Sequence, residues 1–326
     1  ALAPAFPQAE FARKHEERLH TLLQERDEPR LVANKALQRA IFGNRHPYGQ
    51  PLNGTVASIQ ALRREDVISY YTVAGGAKTA SFLLAGDIEP ETTRTLLEER
   101  FGAWTHPAAA EPALPAAAGG PRAIHLIDRP AAPQSEVRIG HVGVPRSTPD
   151  YFPLLVMNTI LGGSFKSRLN MRLREEKGFT YGASSSFSCR RQSGVFSGST
   201  AVITEATAET VSIFVNEIER MRSDPVTPEE LERARNYLAL GFMRNFETTG
   251  AIAAHLIDVA LYDLGPDYLR DYPERVAAVT REDVAKAAGR YLHPDQLSMV
   301  VVGDRAKVWA QLHELQLGEV REWAAV

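Results

Sequence analysis

The sequence predicts an α+β fold made of two homologous domains, each a mostly antiparallel sheet covered by helices. Three observations carry this. Strand-like and helix-like stretches follow one another without the strict alternation of a parallel α/β chain. A hydrophobic strand ending in Gly-Asp recurs behind the same four-letter helix start, at one fixed offset. Between the two copies runs THPAAAEPALPAAAGGP, residues 105–121, which is rich in Pro, Ala and Gly, lacks apolar periodicity, and reads as an inter-domain linker.

The elements follow in order. Helical patterns cover 9–26 and 29–42. A loop, GNRHPYGQPLNGT, leads into further helices and one strand, FLLAGD, before residue 104. After the linker come the strands RAIHLID and SEVRIGHVGV, then helices over roughly 149–162 and 164–177. Two strands lie within FTYGASSSFSCRRQSGVFSGSTAV. A helix-rich tail, punctuated by Pro225, Pro228, Pro266 and Pro273, leads to a last strand, QLSMVVVGD.

The repeat sets the domain organisation. REDV occurs at 64–67 and 281–284, and the two Gly-Asp strands end at Asp87 and Asp304; both offsets are 217 residues. Residues 1–104 are then the C-terminal portion of a first domain, and 122–326 a second domain. The counterpart of Arg122 would fall about 95 residues before the first residue, so the first domain is expected to lack its N-terminal part.

Composition narrows the function classes. With 37 basic and 40 acidic residues the net charge is −3, which gives no reason to expect nucleic acid or an anionic membrane as partner. Cys189 is the only cysteine, so neither an internal disulfide framework nor a Cys-based zinc cluster is possible. No apolar run reaches the length of a membrane span. The opening residues show no signal-peptide pattern, and a targeting segment would belong to the expected missing part, which leaves cytoplasmic and periplasmic locations open.

The stretch LREEKGFTYG, 173–182, joins a helix to a strand through Gly178. Taken alone, Arg174 reads as a basic residue meeting a helix dipole and Tyr181 as an aromatic packing in a sheet. His15 and His20, five apart, diverge by roughly 140° on a helix and read as exposed positions. GGAKT at 75–79 lacks phosphate-loop spacing, and the glycines of LGGSFKSR supply turn geometry. His46 reads as structural, and His125 and His141 sit in strands without metal partners.

Nearly the whole chain resembles the pitrilysin-type, processing-peptidase-like zinc metallopeptidases. The resemblance lies in DEPRLVANKALQRAIFGNRHPYGQPLNGTVASIQALRREDVISYY, LLAGDIEPETTRTLLEERFGAW, DRPAAPQSEVRIGHVGV, NTILGGSFKSRLNMRLREEKGFTYGASSSF and VVVGD. It implies two α+β domains that close, alone or with a partner subunit, around a chamber for unfolded peptide. In such enzymes an H-x-x-E-H helix and a later glutamate hold zinc. A facing domain supplies an arginine and, seven residues on, a tyrosine, which match Arg174 and Tyr181. Both are permanent hydrogen-bond donors near neutral pH, suited to the oxyanion that grows on the substrate carbonyl.

The zinc half departs from the family pattern. No H-x-x-E-H occurs in the 326 residues. Where the resemblance places the third ligand and its companion carboxylate, counting back from Pro29, stand Thr21 and Lys14. Glu16, Glu17 and Glu25 on the same helix read as a solvated face. The expectation is therefore a chain with no metal site of its own, serving as the non-catalytic, substrate-binding half of a two-subunit zinc endopeptidase. Zinc would sit in a catalytic H-x-x-E-H partner, as a heterodimer, or the chain would pair with itself as a homo-oligomer. Two alternatives stay open: a non-enzymatic scaffold like the respiratory core subunits of the same fold, and a complete zinc peptidase whose motif lies in the missing part.

Overall fold

The computed structural model describes residues 2–74, 76–105, 113–117 and 119–324. In chain order the elements are α1 (Gln8–Glu25), α2 (Pro29–Phe42), α3 (Val56–Ala61), α4 (Arg64–Ala74), α5 (Pro90–Phe101), β1 (Ala123–Asp128), β2 (Gln134–Gly143), α6 (Tyr151–Asn158), α7 (Arg168–Asn170), β3 (Ala183–Cys189), β4 (Gly194–Ile203), α8 (Thr207–Ser223), α9 (Pro228–Arg244), α10 (Thr249–Leu261), α11 (Tyr268–Ala278), α12 (Arg281–Tyr291), β5 (Ser298–Gly303), α13 (Arg305–Glu314) and β6 (Glu319–Trp323). They group into two compact units. One holds residues 1–25, 53–113 and 244–268; the other holds 26–52, 114–243 and 269–326. Of the expected linker at 105–121, residues 106–112 and 118 lie outside the described residues.

The larger unit is built on one six-stranded sheet in the order β3-β4-β2-β5-β1-β6. β3, β4, β2 and β5 run antiparallel in sequence, and β5–β1 and β1–β6 are parallel, so the fold is α+β with a mostly antiparallel sheet. The apolar runs of β1 and β5 form its buried centre, where both faces are covered and side chains need not alternate. On one face α2 lays down Val32, Ala33, Ala36, Leu37, Ile41 and Phe42, a helical i, i+3/i+4 stripe, against Ile127, Val195, Val300 and Val302. Gly140 permits this approach, because a Cβ there would lie 3.2 Å from Ile41 and 2.3 Å from the Phe196 carbonyl. The other face carries α8, whose Phe214 packs on Gly198 and whose Thr207 hydroxyl donates to Ser135 Oγ at 2.7 Å.

The stripe explains why 26–52 groups with residues 114–243. Sequence placed α2 in the first domain, yet its apolar face is buried on the sheet of the larger unit. β6 is a further departure: a polar-looking segment beyond the expected last strand adds an edge strand, its Trp323 ring tilted against His125 at 4.0 Å between centres.

The smaller unit consists, among its described residues, of helices and the short 3-10 turn Ala77–Thr79, without a sheet. The repeat is visible in it at element level. α4 and α12 share the 217-residue offset at both ends, as do the 3-10 turns Ala77–Thr79 and Pro294–Gln296. The helix starts match in detail, since Asp66 accepts from the Arg63 amide at 2.8 Å and Asp283 from the Thr280 amide at 3.0 Å. The strands do not match. Residues 81–86, the counterpart of β5, form no ladder, and Phe82 and Leu84 are exposed. A strand forms only against a partner, and the described residues of this unit provide none. The expected strand at FLLAGD and the expected second sheet are both absent there.

Candidate functional site

The LREEKGFTYG stretch lies wholly within the larger unit. α6 runs on into a π-helical turn, Thr159–Gly163, and α7 into another, Met171–Glu176. These wide turns flank the loop that carries Phe165. Leu169 and Leu173, four apart and fully buried, seat α7 and its extension on the core. At its start Arg168 grips Glu230 of α9 in a bidentate pair, Nε–Oε1 2.7 Å and Nη2–Oε2 2.8 Å. Burial pushes the Glu230 pKa up, but the Arg168 hydrogen bonds and the Thr227 amide outweigh it and hold the carboxyl below its ordinary value. At its end Gly178, at φ +65°, turns the chain out, with Gly178 N donating to Arg174 O and Phe179 N to Leu173 O.

Arg174 occupies this last turn with its side chain 39% exposed. Its guanidinium carbon lies 4.5 Å from the centre of the Phe165 ring, and Nε is 3.4 Å from Glu175. The two terminal nitrogens have no protein hydrogen-bond partner among the described residues. Tyr181 precedes β3 instead of opening it, because pairing with β4 begins at Ala183. Its ring is 92% exposed and its hydroxyl is likewise without a partner there.

The backbone on either side of Tyr181 is held firmly. Thr180 Oγ1 accepts from Gly182 N, and the buried Thr200 of β4 reaches both Thr180 Oγ1 and the Gly182 carbonyl, each at 3.0 Å. Asn170 closes the other end, accepting from Ala183 N at 3.1 Å and donating to the Phe165 carbonyl at 2.7 Å. Phe165, Thr180, Thr200 and Asn170 were not singled out from sequence. An exposed Phe in a Gly-Ser loop was the only local signal, and the threonine clamp needs knowledge of strand register. Arg174 and Tyr181 make no hydrogen bond to each other, so what the site offers is two uncommitted donors on a braced support.

The residues do not fit a metal. Among the described residues no group of three or more His, Cys, Asp or Glu could hold one. His15 is half-buried, contrary to its expected exposure, because α3 packs there and its Nε2 lies 2.7 Å from the Ile59 carbonyl. His20 is exposed beside Glu16. Lys14 pairs with Glu17, and the Thr21 hydroxyl donates to the Glu17 carbonyl. His46 caps the 3-10 turn Pro47–Gly49 through Nδ1, as its structural reading expects. His125 and His141 are buried and pushed down to about 4, chiefly by burial.

A mixed sheet with this strand order and helical cover, bearing a helix–Gly–turn–strand junction with a displayed Arg and Tyr, makes an α+β domain without a metal centre among its described residues. The chain belongs to the peptidase M16 inactive domain family, whose description matches residues 61–238. It is 26% identical over 298 residues to an uncharacterized zinc protease of Streptomyces coelicolor, covering 88% of this chain and 64% of that one. It is 23% identical over 303 residues to the mitochondrial-processing peptidase subunit beta of Saccharomyces cerevisiae, covering 84% and 64%. An uncharacterized zinc protease of Mycobacterium tuberculosis is 26% identical over 71% of this chain and 53% of its own length. The chain thus spans between half and two thirds of these relatives. Among solved structures, a peptidase M16 inactive domain from Pseudomonas fluorescens superposes with a TM-score of 0.85 at 24% identity, covering 92% of this chain and 71% of that one. Complex III2 from Candida albicans contains a chain matching with a TM-score of 0.75 at 14% identity, over 93% and 74%.

Proposed function

We propose that this chain is the non-catalytic, substrate-binding half of a two-subunit zinc metalloendopeptidase. In this reading it closes a chamber around an unfolded peptide, and the zinc belongs to an H-x-x-E-H partner. Residues 1–104 and 122–326 would be its two homologous domains. The observation that carries the proposal is the pair of displayed donors, Arg174 and Tyr181: the arginine's terminal nitrogens and the tyrosine's hydroxyl have no partner among the described residues, and the backbone around Tyr181 is clamped on both sides. A purely structural role gives no reason to hold a 92% exposed tyrosine on so rigid a base.

The chemistry follows from donor properties. As water adds to the scissile carbonyl, its oxygen becomes anionic, and Arg174 and Tyr181 each donate a hydrogen bond that strengthens as the charge forms. The Phe165 ring under the guanidinium limits its rotamers, so less ordering is left for the moment of reaction.

The test is Tyr181→Phe, assayed as the complex recovered with the tagged chain. Loss of one such donor lowers turnover by about 10²–10³ with little change in KM. Full turnover in the assembled variant would return the pair to packing roles and favour a scaffold of the same fold.

A further inference from the structure

The larger unit has a second feature that the donor pair does not use. A groove of about 770 Å³ opens between α2, the segment 47–52 and the tip of the β3–β4 hairpin. Its lining includes two cations, Lys35 and Arg190, and no carboxylate. Two uncharged groups hold Arg190 in place. Its guanidinium carbon lies 4.5 Å from the Tyr48 ring centre, and Nη2 donates to Gln38 Oε1 at 3.4 Å. Tyr48 in turn packs edge-on to the buried Phe42 and belongs to the turn that His46 caps, so the arginine rests on a fixed base.

Asn34 is oriented as well. Its Oδ1 accepts from the buried Arg138 Nε at 2.7 Å, so the group it has left to offer is its NH2 donor. One charged fork from the hairpin tip and one amide donor from α2, both lining the same groove, suit a carboxylate, which accepts from both. Beyond them Leu52, fully exposed, forms an apolar shelf beside the polar wall.

We propose that this groove is a carboxylate-binding subsite for extended peptide, with Arg190 and the Asn34 amide as the clamp and Leu52 against the neighbouring side chain. The proposal rests on the reading that the chain binds peptide, and it adds a preference for peptides carrying a carboxylate. That carboxylate comes from an acidic side chain or from the peptide's C-terminus.

The experiment is fluorescence anisotropy with the full chain and no catalytic partner. The probe is an N-terminally labelled 12-residue peptide with two glutamates and a free C-terminus, compared with its Glu→Gln, C-terminal amide and doubly neutral forms. The acidic peptide should bind at least about ten-fold tighter than the doubly neutral one, and which single change removes the gain identifies the source. Arg190→Gln should remove the preference while Arg191→Gln, at the exposed hairpin tip, keeps it. Arg190→Lys, which retains the charge but not the fork, should recover only part. Thermal melts of each variant report folding. Equal binding of acidic and neutral peptides, no binding of the acidic peptide, or an unchanged preference in folded Arg190→Gln overturns the proposal. The Tyr181→Phe assay reads turnover and not affinity, so the two readings fail separately.

Discussion

Thr200, buried on β4, sets its hydroxyl 3.0 Å from the Thr180 hydroxyl, one residue ahead of the displayed Tyr181. The same Thr200 oxygen lies 3.0 Å from the Gly182 carbonyl one residue behind it. A single side chain on a central strand therefore braces both flanks of a ring that itself touches almost nothing.

Thr200→Val keeps the shape and removes that hydroxyl. It should cost about 1 kcal/mol, because the half-buried Thr180 hydroxyl and the exposed Gly182 carbonyl lose a partner. Turnover of the assembled complex should fall further than stability accounts for, since Tyr181 loses its fixed position. Urea unfolding and peptide hydrolysis, measured together, separate the two effects. Equal activity at matched stability would show that the brace does not position the ring.

The Arg168–Glu230 pair gives an acid window. Glu230 has a folded-state pKa below its ordinary 4.5, so its contribution is present above the unfolded value and is lost as pH falls through the folded one. Glu230→Gln should lower stability by about 2 kcal/mol at pH 7 and flatten the decline below pH 4.5. Urea midpoints at pH 7 and in steps below 4.5 test this.

His125 and His141 act at higher pH. Burial first of all holds both near 4, against an ordinary 6.5, so the unfolded chain takes up protons that the folded chain refuses. Their stabilisation is complete above pH 6.5 and is lost as pH falls from there toward 4, by up to about 2 kcal/mol per histidine at pH 5. His125→Phe keeps a ring against Trp323 and should halve the slope between pH 6.5 and 5. An NMR titration of the ring protons should show both histidines neutral at pH 5.5.

Metal analysis provides a fourth check. His15 and His20 have separate partners, and Lys14 and Thr21 bring no carboxylate, so the purified chain should hold no stoichiometric zinc. Removing metal with a chelator should leave its melting temperature unchanged. One tightly bound zinc per chain would revive the reading as a complete peptidase.

Much of the larger unit was legible because its signals are local. β1 and β5 are apolar runs bounded by polar turns, and Gly178 marks a helix end whose φ only glycine adopts easily. What was not legible depends on distant partners. α2 announces an apolar face, but its sequence does not say which sheet receives it. SFLLAG and SMVVVG, residues 81–86 and 298–303, carry nearly the same pattern, and neighbours alone decide that only the second becomes a strand. For the site, the resemblance pointed to Arg174 and Tyr181, while the Phe165 platform and the threonine clamp emerge only from tertiary register.

The unpaired stretch 81–86 has a consequence beyond the fold. It is six residues without charge or proline, with Phe82 and Leu84 open to solvent, which is the composition that stacks between molecules into cross-β assemblies. Lys78 and Asp87 stand on either side as the nearest charged gatekeepers. Aggregation of the chain is therefore expected to start at this short segment, and losing either flanking charge should make concentrated solutions more prone to it.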